Sequence, residues 1–391
     1  MKPIAIIGSG LAAYTLAREF RKLDKITPLL IVTGDDGGFY SKPMLSNALA
    51  LGKQAQQLMS QTAEQMAEQL NANIITKMQV TAIDINNQSV VTPLGDFEFS
   101  RLVLATGAQA IRLPIAGDAA HQVLSINNLE DYAVFRDKLN QAGEKAHIAI
   151  LGAGLIGCEF SDDLAGSAYS VSLIDPNSLP LAALAPQAIS MRLRDALQAK
   201  GVQLKLGTTA SQINHYGSSL RLDLANGETV IADVVLSAIG LRPNIGLAQA
   251  AQLQTDRGVI VDAYGQTSAA NIFALGDCAQ YSLSDGSQPV MPYIAPLMVA
   301  ARAIARTLAG EATAIDLKPS AVLVKTPSYP VALIPPPQAF SKTGNWKTEH
   351  SAGTTTSRFF DNKDVLRGFA VAPQEARLRN ALITELTQSM A

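Results

Sequence analysis

The chain twice combines a short apolar run, a glycine turn and an apolar series at helical spacing. Residues 4–7 run into a Gly-Ser-Gly turn, and apolar residues then recur three or four positions apart at Ala13, Leu16, Phe20 and Leu23. The phrase IAILGAGLIG at 148–157 repeats the phrase IAIIGSGLAA at 4–13. This periodicity predicts a buried strand, a tight turn and an amphipathic helix in each copy.

Each copy is followed further along the chain by another apolar run that ends in glycine. These runs are LVLATG at 102–107 and VVLSAIG, which ends at Gly240. Strands that alternate with helical patterns are typical of parallel sheets in α/β proteins. The sequence therefore predicts an α/β fold with two Rossmann-like nucleotide-binding domains.

The glycines of both copies have the spacing of a dinucleotide-binding turn. Gly8 would allow the tight turn, Gly10 would let the backbone approach a pyrophosphate, and Ala13 is small enough for close packing of helix and strand. The helix N-terminus that follows supplies donors for phosphate. The second copy has the same arrangement, at Gly152, Gly154 and Gly157.

Acidic residues at the strand ends indicate which nucleotides bind. Asp175 ends the strand after the second glycine turn, where its carboxylate would accept bonds from a ribose 2′-hydroxyl and repel a 2′-phosphate. We therefore predict NADH rather than NADPH at the second site. At the first site Asp35 or Asp36 could hold the ribose, and a role in capping the turn is the simpler interpretation of Asp36.

Composition and charge exclude several other classes of protein. The net charge is −2 without runs of like charge, so we expect no nucleic-acid partner. We also expect no membrane insertion and a cytoplasmic location, because no apolar stretch is long enough for a span or a signal peptide. The cysteines Cys158 and Cys278 are far apart and the four histidines are isolated, so we predict neither a disulfide nor a metal site.

The chain ends in a segment of different character. Apolar alternation in AVLVKTPSYPVALI is broken by prolines 335–337, and a helical pattern follows over 375–386. We interpret 320–391 as a small α+β domain. Its charge is eight basic minus five acidic residues, or +3, which would favour an acidic partner.

Taken together, the motifs resemble those of FAD- and NAD(P)H-dependent pyridine nucleotide-disulfide oxidoreductases, with a glutathione-reductase-like architecture. The resemblance rests on both glycine turns, LATGA at 104–108, SAIGLRPN at 237–244 and TSAANIFALGDCA at 267–279. It implies FAD bound by residues 1–112 and 242–319, NADH bound by 113–241, and the C-terminal domain at 320–391. It also implies that Asp277 after Gly276 binds the ribityl chain, and that the chain crosses between domains at Ala105, Thr106 and Gly107. A plain Gly-Asp turn is the alternative for Gly276 and Asp277.

The placement of cysteines decides between subgroups of that superfamily. Disulfide reductases need a paired redox cysteine, and the single-cysteine relatives carry it where this chain has Asn47. Several segments, including FYSKPMLS, LIGCEFSDDL and VKTPSYP, resemble NADH-dependent reductases that deliver electrons to rubredoxin in bacterial alkane hydroxylation. The alternatives are a two-iron ferredoxin as acceptor, although Asn47 replaces the lysine of ferredoxin-type reductases, and a redox-sensing flavoprotein with little turnover.

The resemblance also suggests the residues next to the flavin. Lys42 is the candidate for a cation beside the ring, and Glu159 would orient Lys42 or the nicotinamide carboxamide. A solvated loop lysine is the alternative for Lys42. A helix that begins near Pro296 would direct its N-terminal dipole at the flavin edge where negative charge accumulates.

Overall fold

The computed structural model describes residues 1–283 and 286–390. Contacts divide the chain into two compact units. Unit 1 comprises Met1–Lys42, Met59–Gln109 and Leu241–Lys318, and unit 2 comprises Pro43–Leu58, Ala110–Gly240 and Pro319–Ala391. The three-domain division stays a prediction.

The described part of the chain alternates strands and helices. Its strands are β1 (Ile4–Ile7), β2 (Leu29–Val32), β3 (Phe39–Tyr40), β4 (Met59–Gln61), β5 (Ala72–Ile75), β6 (Ala82–Asp84), β7 (Ser89–Thr92), β8 (Gly95–Glu98), β9 (Arg101–Leu104), β10 (Ala108–Ala110), β11 (Leu124–Ser125), β12 (His147–Leu151), β13 (Ser170–Asp175), β14 (Gln203–Leu206), β15 (Ala210–Tyr216), β16 (Ser219–Leu224), β17 (Thr229–Ala232), β18 (Val234–Ser237), β19 (Leu241–Pro243), β20 (Val259–Val261), β21 (Ile272–Ala274), β22 (Ala279–Tyr281), β23 (Val322–Val324), β24 (Val331–Ile334), β25 (Asn345–Ser351), β26 (Thr354–Phe360) and β27 (Leu366–Ala372). Its α-helices are α1 (Leu11–Leu23), α2 (Ala63–Leu70), α3 (Leu129–Ala142), α4 (Leu155–Gly166), α5 (Gln187–Ala199), α6 (Gly246–Ala250), α7 (Ile294–Leu308) and α8 (Ala376–Met390).

Unit 1 is built on a parallel sheet in the order β21-β9-β1-β2-β5. Its central strand, β1, pairs Ile4 with Leu29 on one side and with Arg101 on the other. All four residues of β1 are buried, as expected for a strand that is covered on both faces. Helix α1 packs against α7, and Phe20 and Ala301 are among the buried residues of this core.

Unit 2 contains a second parallel sheet, in the order β11-β18-β12-β13-β14, and an antiparallel sheet, β15-β16-β17. In the parallel sheet Ile148 of β12 pairs with Val171 and Val234. The second glycine turn therefore follows a central strand, as the first one does. These two parallel sheets confirm the predicted α/β fold class.

The last part of unit 2 is an antiparallel sheet in the order β23-β24-β27-β26-β25. Helix α8 packs on β27 and buries Leu382 and Leu386 against Phe369 and Val371. The helix continues beyond the predicted end at residue 386, and the Oγ of Ser389 accepts a hydrogen bond from the Leu366 N–H.

Two further features of the described residues bear on the predictions. Cys158 and Cys278 are both buried free thiols. None of the helices in residues 1–283 and 286–390 is long and apolar enough to cross a membrane.

Candidate functional site

The first glycine turn lies at the carboxyl end of β1. Gly8 has φ +109°, and a Cβ there would overlap the carbonyl oxygen of Ala105, so the position requires glycine. Gly10 has an ordinary φ of −72°, and a Cβ there would meet nothing within 4 Å. Ala13 is fully buried beneath the turn. The two glycines therefore differ: Gly8 is needed by the fold, whereas Gly10 borders open space where a ligand backbone or phosphate would fit.

The second glycine turn repeats this arrangement in unit 2. Gly152 has φ +102°, and a Cβ there would lie 2.8 Å from the carbonyl oxygen of Ala238. A Cβ at Gly157 would overlap the carbonyl oxygen of Gly152, so the helix could not approach the turn as closely. Gly154 again borders open space within 4 Å.

The helices that follow these turns begin without a side-chain cap. Gly10 and Gly154 are the N-cap residues of α1 and α4, and neither helix has an acidic residue in its first turn. By contrast, Thr62 caps α2 in a capping box and Asn128 caps α3. The α5 and α7 helices also begin without a side-chain cap, so the glycine turns before α1 and α4 are what distinguish these two N-termini. Their first N–H groups are available as donors for a dinucleotide pyrophosphate.

Asp35 is held at the end of β2 by a small hydroxyl network. Its Oδ1 accepts bonds from Ser9 Oγ at 2.6 Å, from Thr33 Oγ1 at 2.7 Å and from the Gly37 N–H at 2.9 Å. Asp36 Oδ1 accepts the Gly38 N–H at 2.9 Å, which is the turn-capping role expected for Asp36. The placement favours Asp35 as the residue that contacts a ribose. No sequence pattern pointed to Ser9 and Thr33 as hydrogen-bond partners of Asp35.

Asp175 holds the corresponding place in unit 2. Its Oδ2 accepts the Ala153 N–H at 2.6 Å, and its Oδ1 accepts the N–H and the Nδ2 of Asn177 at 2.7 and 2.9 Å. The carboxylate thus links the glycine turn to the loop after β13. Its position fits the predicted contact with a ribose 2′-hydroxyl.

Further predicted FAD-binding residues lie at the carboxyl edge of the unit 1 sheet or at the start of α7. A Cβ at Gly276 would lie 2.8 Å from the Cβ of Ala12, so the segment after β21 packs closely on α1. Asp277 is half-buried in the same short turn, and Pro296 is buried in the first turn of α7, where there is no acidic residue. These groups fit a flavin nucleotide laid along this edge.

The predicted crossover residues are tied to the segment that returns to unit 1. Ala105 donates its N–H to the carbonyl of Ile7 at 3.0 Å, Thr106 Oγ1 donates to the carbonyl of Asn244 at 2.8 Å, and the Asn244 N–H donates to Gly107 at 2.9 Å. In unit 2, Gly240 has φ +114° and accepts a bond from the N–H of residue 111.

Glu159 is fully buried on α4 and contacts a cation that the sequence analysis did not identify. Its Oε2 lies 2.9 Å from Lys325 Nζ and accepts a bond from Ser46 Oγ at 2.5 Å, and its Oε1 accepts the backbone N–H of Lys325 at 2.8 Å. The Lys325 ammonium also donates to Asn47 Oδ1 at 2.8 Å and to the carbonyl of Pro43. The result is a charged cluster built from three separate segments of unit 2.

The predicted pairing of Lys42 with Glu159 is therefore not needed to satisfy the carboxylate. Lys42 belongs to unit 1 and starts the 3-10 helix Lys42–Asn47. Its contact with the flavin stays a prediction. Asn47 Nδ2 also donates to the Lys325 carbonyl at 3.0 Å. No local sequence pattern pointed to Lys325.

The fold and these sites define a protein with two dinucleotide-binding sheets, one suited to a flavin nucleotide and the other to NAD(H). The chain belongs to the pyridine nucleotide-disulphide oxidoreductase family, which residues 2–304 match. Residues 314–386 match a second family, described as a rubredoxin binding C-terminal domain.

Similar proteins agree with that assignment. The chain is 42% identical to a rubredoxin-NAD(+) reductase of Alcanivorax borkumensis over 100% of both chains. It is 39% identical to a rubredoxin-NAD(+) reductase of Acinetobacter baylyi, covering 100% of this chain and 99% of that protein. The fold resembles the covalent putidaredoxin reductase-putidaredoxin complex, with a TM-score of 0.89 and 23% identity over 99% of this chain and 93% of that one.

Proposed function

We propose that this chain is an NADH-dependent flavoprotein reductase that passes electrons to rubredoxin. The observation that carries the proposal is the match of residues 314–386 to a rubredoxin-binding domain, on a chain that is 42% identical throughout to a rubredoxin-NAD(+) reductase. Bound FAD would supply the redox chemistry, which is hydride acceptance from NADH and electron release to a one-electron acceptor. A supply of electrons to an alkane hydroxylase stays a prediction.

The chain's own residues bind and orient the two nucleotides. In unit 1 the N–H groups at the start of α1 would hold the FAD pyrophosphate, with Asp35 at the ribose and Asp277 at the ribityl chain. In unit 2 the start of α4 would hold the NADH pyrophosphate, and Asp175 would select the 2′-hydroxyl. These contacts require no general base.

The C-terminal sheet has a surplus of positive charge that suits an acidic carrier. The charge over 320–391 is +3, and four of its five acidic residues already contact a lysine or arginine of the same region: Glu349, Asp361, Asp364 and Glu385. Electrostatic steering of this kind raises the association rate and weakens with ionic strength. The second-order rate of electron transfer to rubredoxin should therefore fall as salt is added.

We also propose a cytoplasmic location. NADH is the expected donor, and the buried thiols Cys158 and Cys278 are unpaired. Free thiols are the usual state of cysteine in a reducing compartment.

The test is stopped-flow reduction of the FAD-loaded protein by NADH and, in a parallel experiment, by NADPH. The reduced protein is then mixed with oxidised rubredoxin and, separately, with a two-iron ferredoxin. We expect rapid bleaching by NADH and rapid reoxidation by rubredoxin. Reoxidation by the ferredoxin alone would show that the acceptor is a ferredoxin rather than rubredoxin. A flavin that NADH does not reduce would refute the proposal.

A further inference from the structure

Helix α4 carries three buried carboxylates, which bind main-chain groups of two other segments. Glu159, Asp162 and Asp163 are each at most 1% exposed. Such burial is costly unless each charge is paired and hydrogen-bonded. Carboxylates at i, i+3 and i+4 lie on neighbouring positions of a helix, so together they can serve as one binding face.

Asp162 and Asp163 bind different segments. Asp162 Oδ2 accepts the N–H and the Oγ of Ser328 at 2.9 and 2.8 Å, and its Oδ1 forms an ion pair with Lys200. Asp163 accepts the N–H groups of Leu49 and Ala50 at 3.1 and 2.8 Å. The first contact reaches the C-terminal sheet, and the second reaches the segment after Asn47.

Residues 325–329, which we term the clasp turn, connect β23 to β24. Inside the turn Thr326 Oγ1 donates to the carbonyl of Tyr329 at 2.7 Å, and the Tyr329 N–H donates back to the Thr326 carbonyl at 3.0 Å. At the start of the turn Glu159 accepts the N–H of Lys325, and near its end Asp162 accepts the N–H of Ser328. The turn is therefore compact and attached to α4 at two points.

We propose that Asp162 is a positioning residue, which fixes the clasp turn so that the Lys325 ammonium lies against Glu159, Ser46 and Asn47. The ammonium can keep its contacts with Glu159, Ser46 and Asn47 only while the backbone that carries the long, flexible lysine side chain stays in place, and the Glu159 bond to the Lys325 N–H is one attachment of that backbone. The Ser328 bonds supply the second point. The inference rests on the proposed function, because its consequence for catalysis requires that the Lys325–Glu159 pair contribute to reduction by NADH.

The contribution of Asp162 can be separated from that of Asp163 by hydrogen exchange. Asp162→Asn retains size but has one acceptor oxygen and no charge, so the bonds to Ser328 are either lost or weakened. We expect exchange of the amides in 325–329 to rise about tenfold, with the amides of 49–50 unchanged. Asp163→Asn should give the reverse pattern. Faster exchange throughout the chain would overturn the proposal, and so would an unchanged exchange rate in 325–329.

The catalytic consequence is tested by a double-mutant cycle with Lys325→Met. If Asp162 acts through Lys325, Asp162→Asn should slow flavin reduction by NADH about tenfold in the parent and leave the Lys325→Met protein unchanged. The flavin midpoint potential, measured by dye titration, should follow the same non-additive pattern. Additive effects on the rate and the potential would overturn the positioning role.

A milder variant covers the case in which Asp162→Asn does not fold. Ser328→Ala removes the Oγ bond and keeps the N–H, so it should loosen 325–329 to a smaller extent and slow reduction in the same direction. No change in exchange or rate would count against the proposal. The failure of NADH to reduce the parent protein would instead refute the proposed function.

Discussion

Lys325 Nζ lies 2.9 Å from Glu159 Oε2, although the two residues are 166 positions apart. The carboxylate is fully buried, whereas 36% of the lysine side chain is exposed. The pair thus lies at the edge of the interior, with the negative charge inside and part of the cation accessible. This arrangement suits a cation that both neutralises a buried carboxylate and faces a ligand.

Removal of that cation should destabilise the protein. Lys325→Met leaves Glu159 buried without its ion-pair partner, and we expect the free energy of unfolding to fall by about 1–3 kcal/mol. Urea unfolding at pH 7 measures the change. Flavin reduction by NADH should also be slower in the variant.

The matched control for this lysine is Lys318→Met. Lys318 Nζ lies 3.4 Å from Asp316, and both side chains are 75% exposed. Exposed ion pairs contribute little to stability, so Lys318→Met should lower the free energy of unfolding by less than about 1 kcal/mol. Equal losses of unfolding free energy in the two variants would show that the buried pair stabilises the protein no more than an exposed pair does.

The two halves of the site differ in how far the sequence predicts them. Gly8, Gly10 and Asp175 belong to strand-turn-helix-strand units whose pattern is local, so periodicity and spacing predicted their places in the turn and at the strand end. Their contacts with the nucleotides stay predictions. The partner of Glu159 depends on a turn between two strands of the C-terminal sheet, and no local pattern places residue 325 beside residue 159.

The sequence pattern also predicted the end of the C-terminal helix incompletely. Apolar spacing predicted its end at residue 386, because the buried face ends with Leu386. The observed helix Ala376–Met390 continues because backbone hydrogen bonding needs no further apolar residue. The bond between Leu366 and Ser389 links this last turn to the start of β27.

Preference for NADH should depend on the charge of Asp175. In Asp175→Asn the side chain retains an acceptor but loses the charge that repels a 2′-phosphate, so the ratio of kcat/KM for NADH over NADPH should fall about tenfold. Steady-state rates with an artificial acceptor give the ratio. Asp195→Asn, at an exposed surface pair on α5, should leave the ratio unchanged.

The two glycines of the first turn should respond differently to alanine. Gly10→Ala adds a methyl group to open space at an ordinary φ, so the chain should fold while the methyl obstructs the pyrophosphate. We expect purified Gly10→Ala to show the circular dichroism of the parent apoprotein and a lower ratio of FAD to protein. A full complement of FAD would refute the assignment of Gly10 to the cofactor.

Gly8→Ala serves as the structural counterpart. Its φ of +109° and the overlap with the Ala105 carbonyl should destabilise the fold itself by about 1–2 kcal/mol or more. The loss should be measurable by urea unfolding of the apoprotein. Gly10→Ala should leave the unfolding midpoint of the apoprotein close to that of the parent.

The stability of the protein should fall in mild acid because of His147. Burial lowers the pKa of this imidazole below its ordinary value of 6.5, and its Nε2 lies 2.9 Å from Ser172 Oγ. A depressed pKa in the folded state means that the unfolded state takes up a proton first, so the stabilisation present above pH 6.5 is lost as the pH falls. Urea midpoints at pH 7.5 and pH 5.5 should differ more for the parent than for His147→Asn. His350→Asn, at an exposed imidazole, is the control. If the urea midpoint of His147→Asn depends on pH as steeply as that of the parent, the acid sensitivity belongs to other groups.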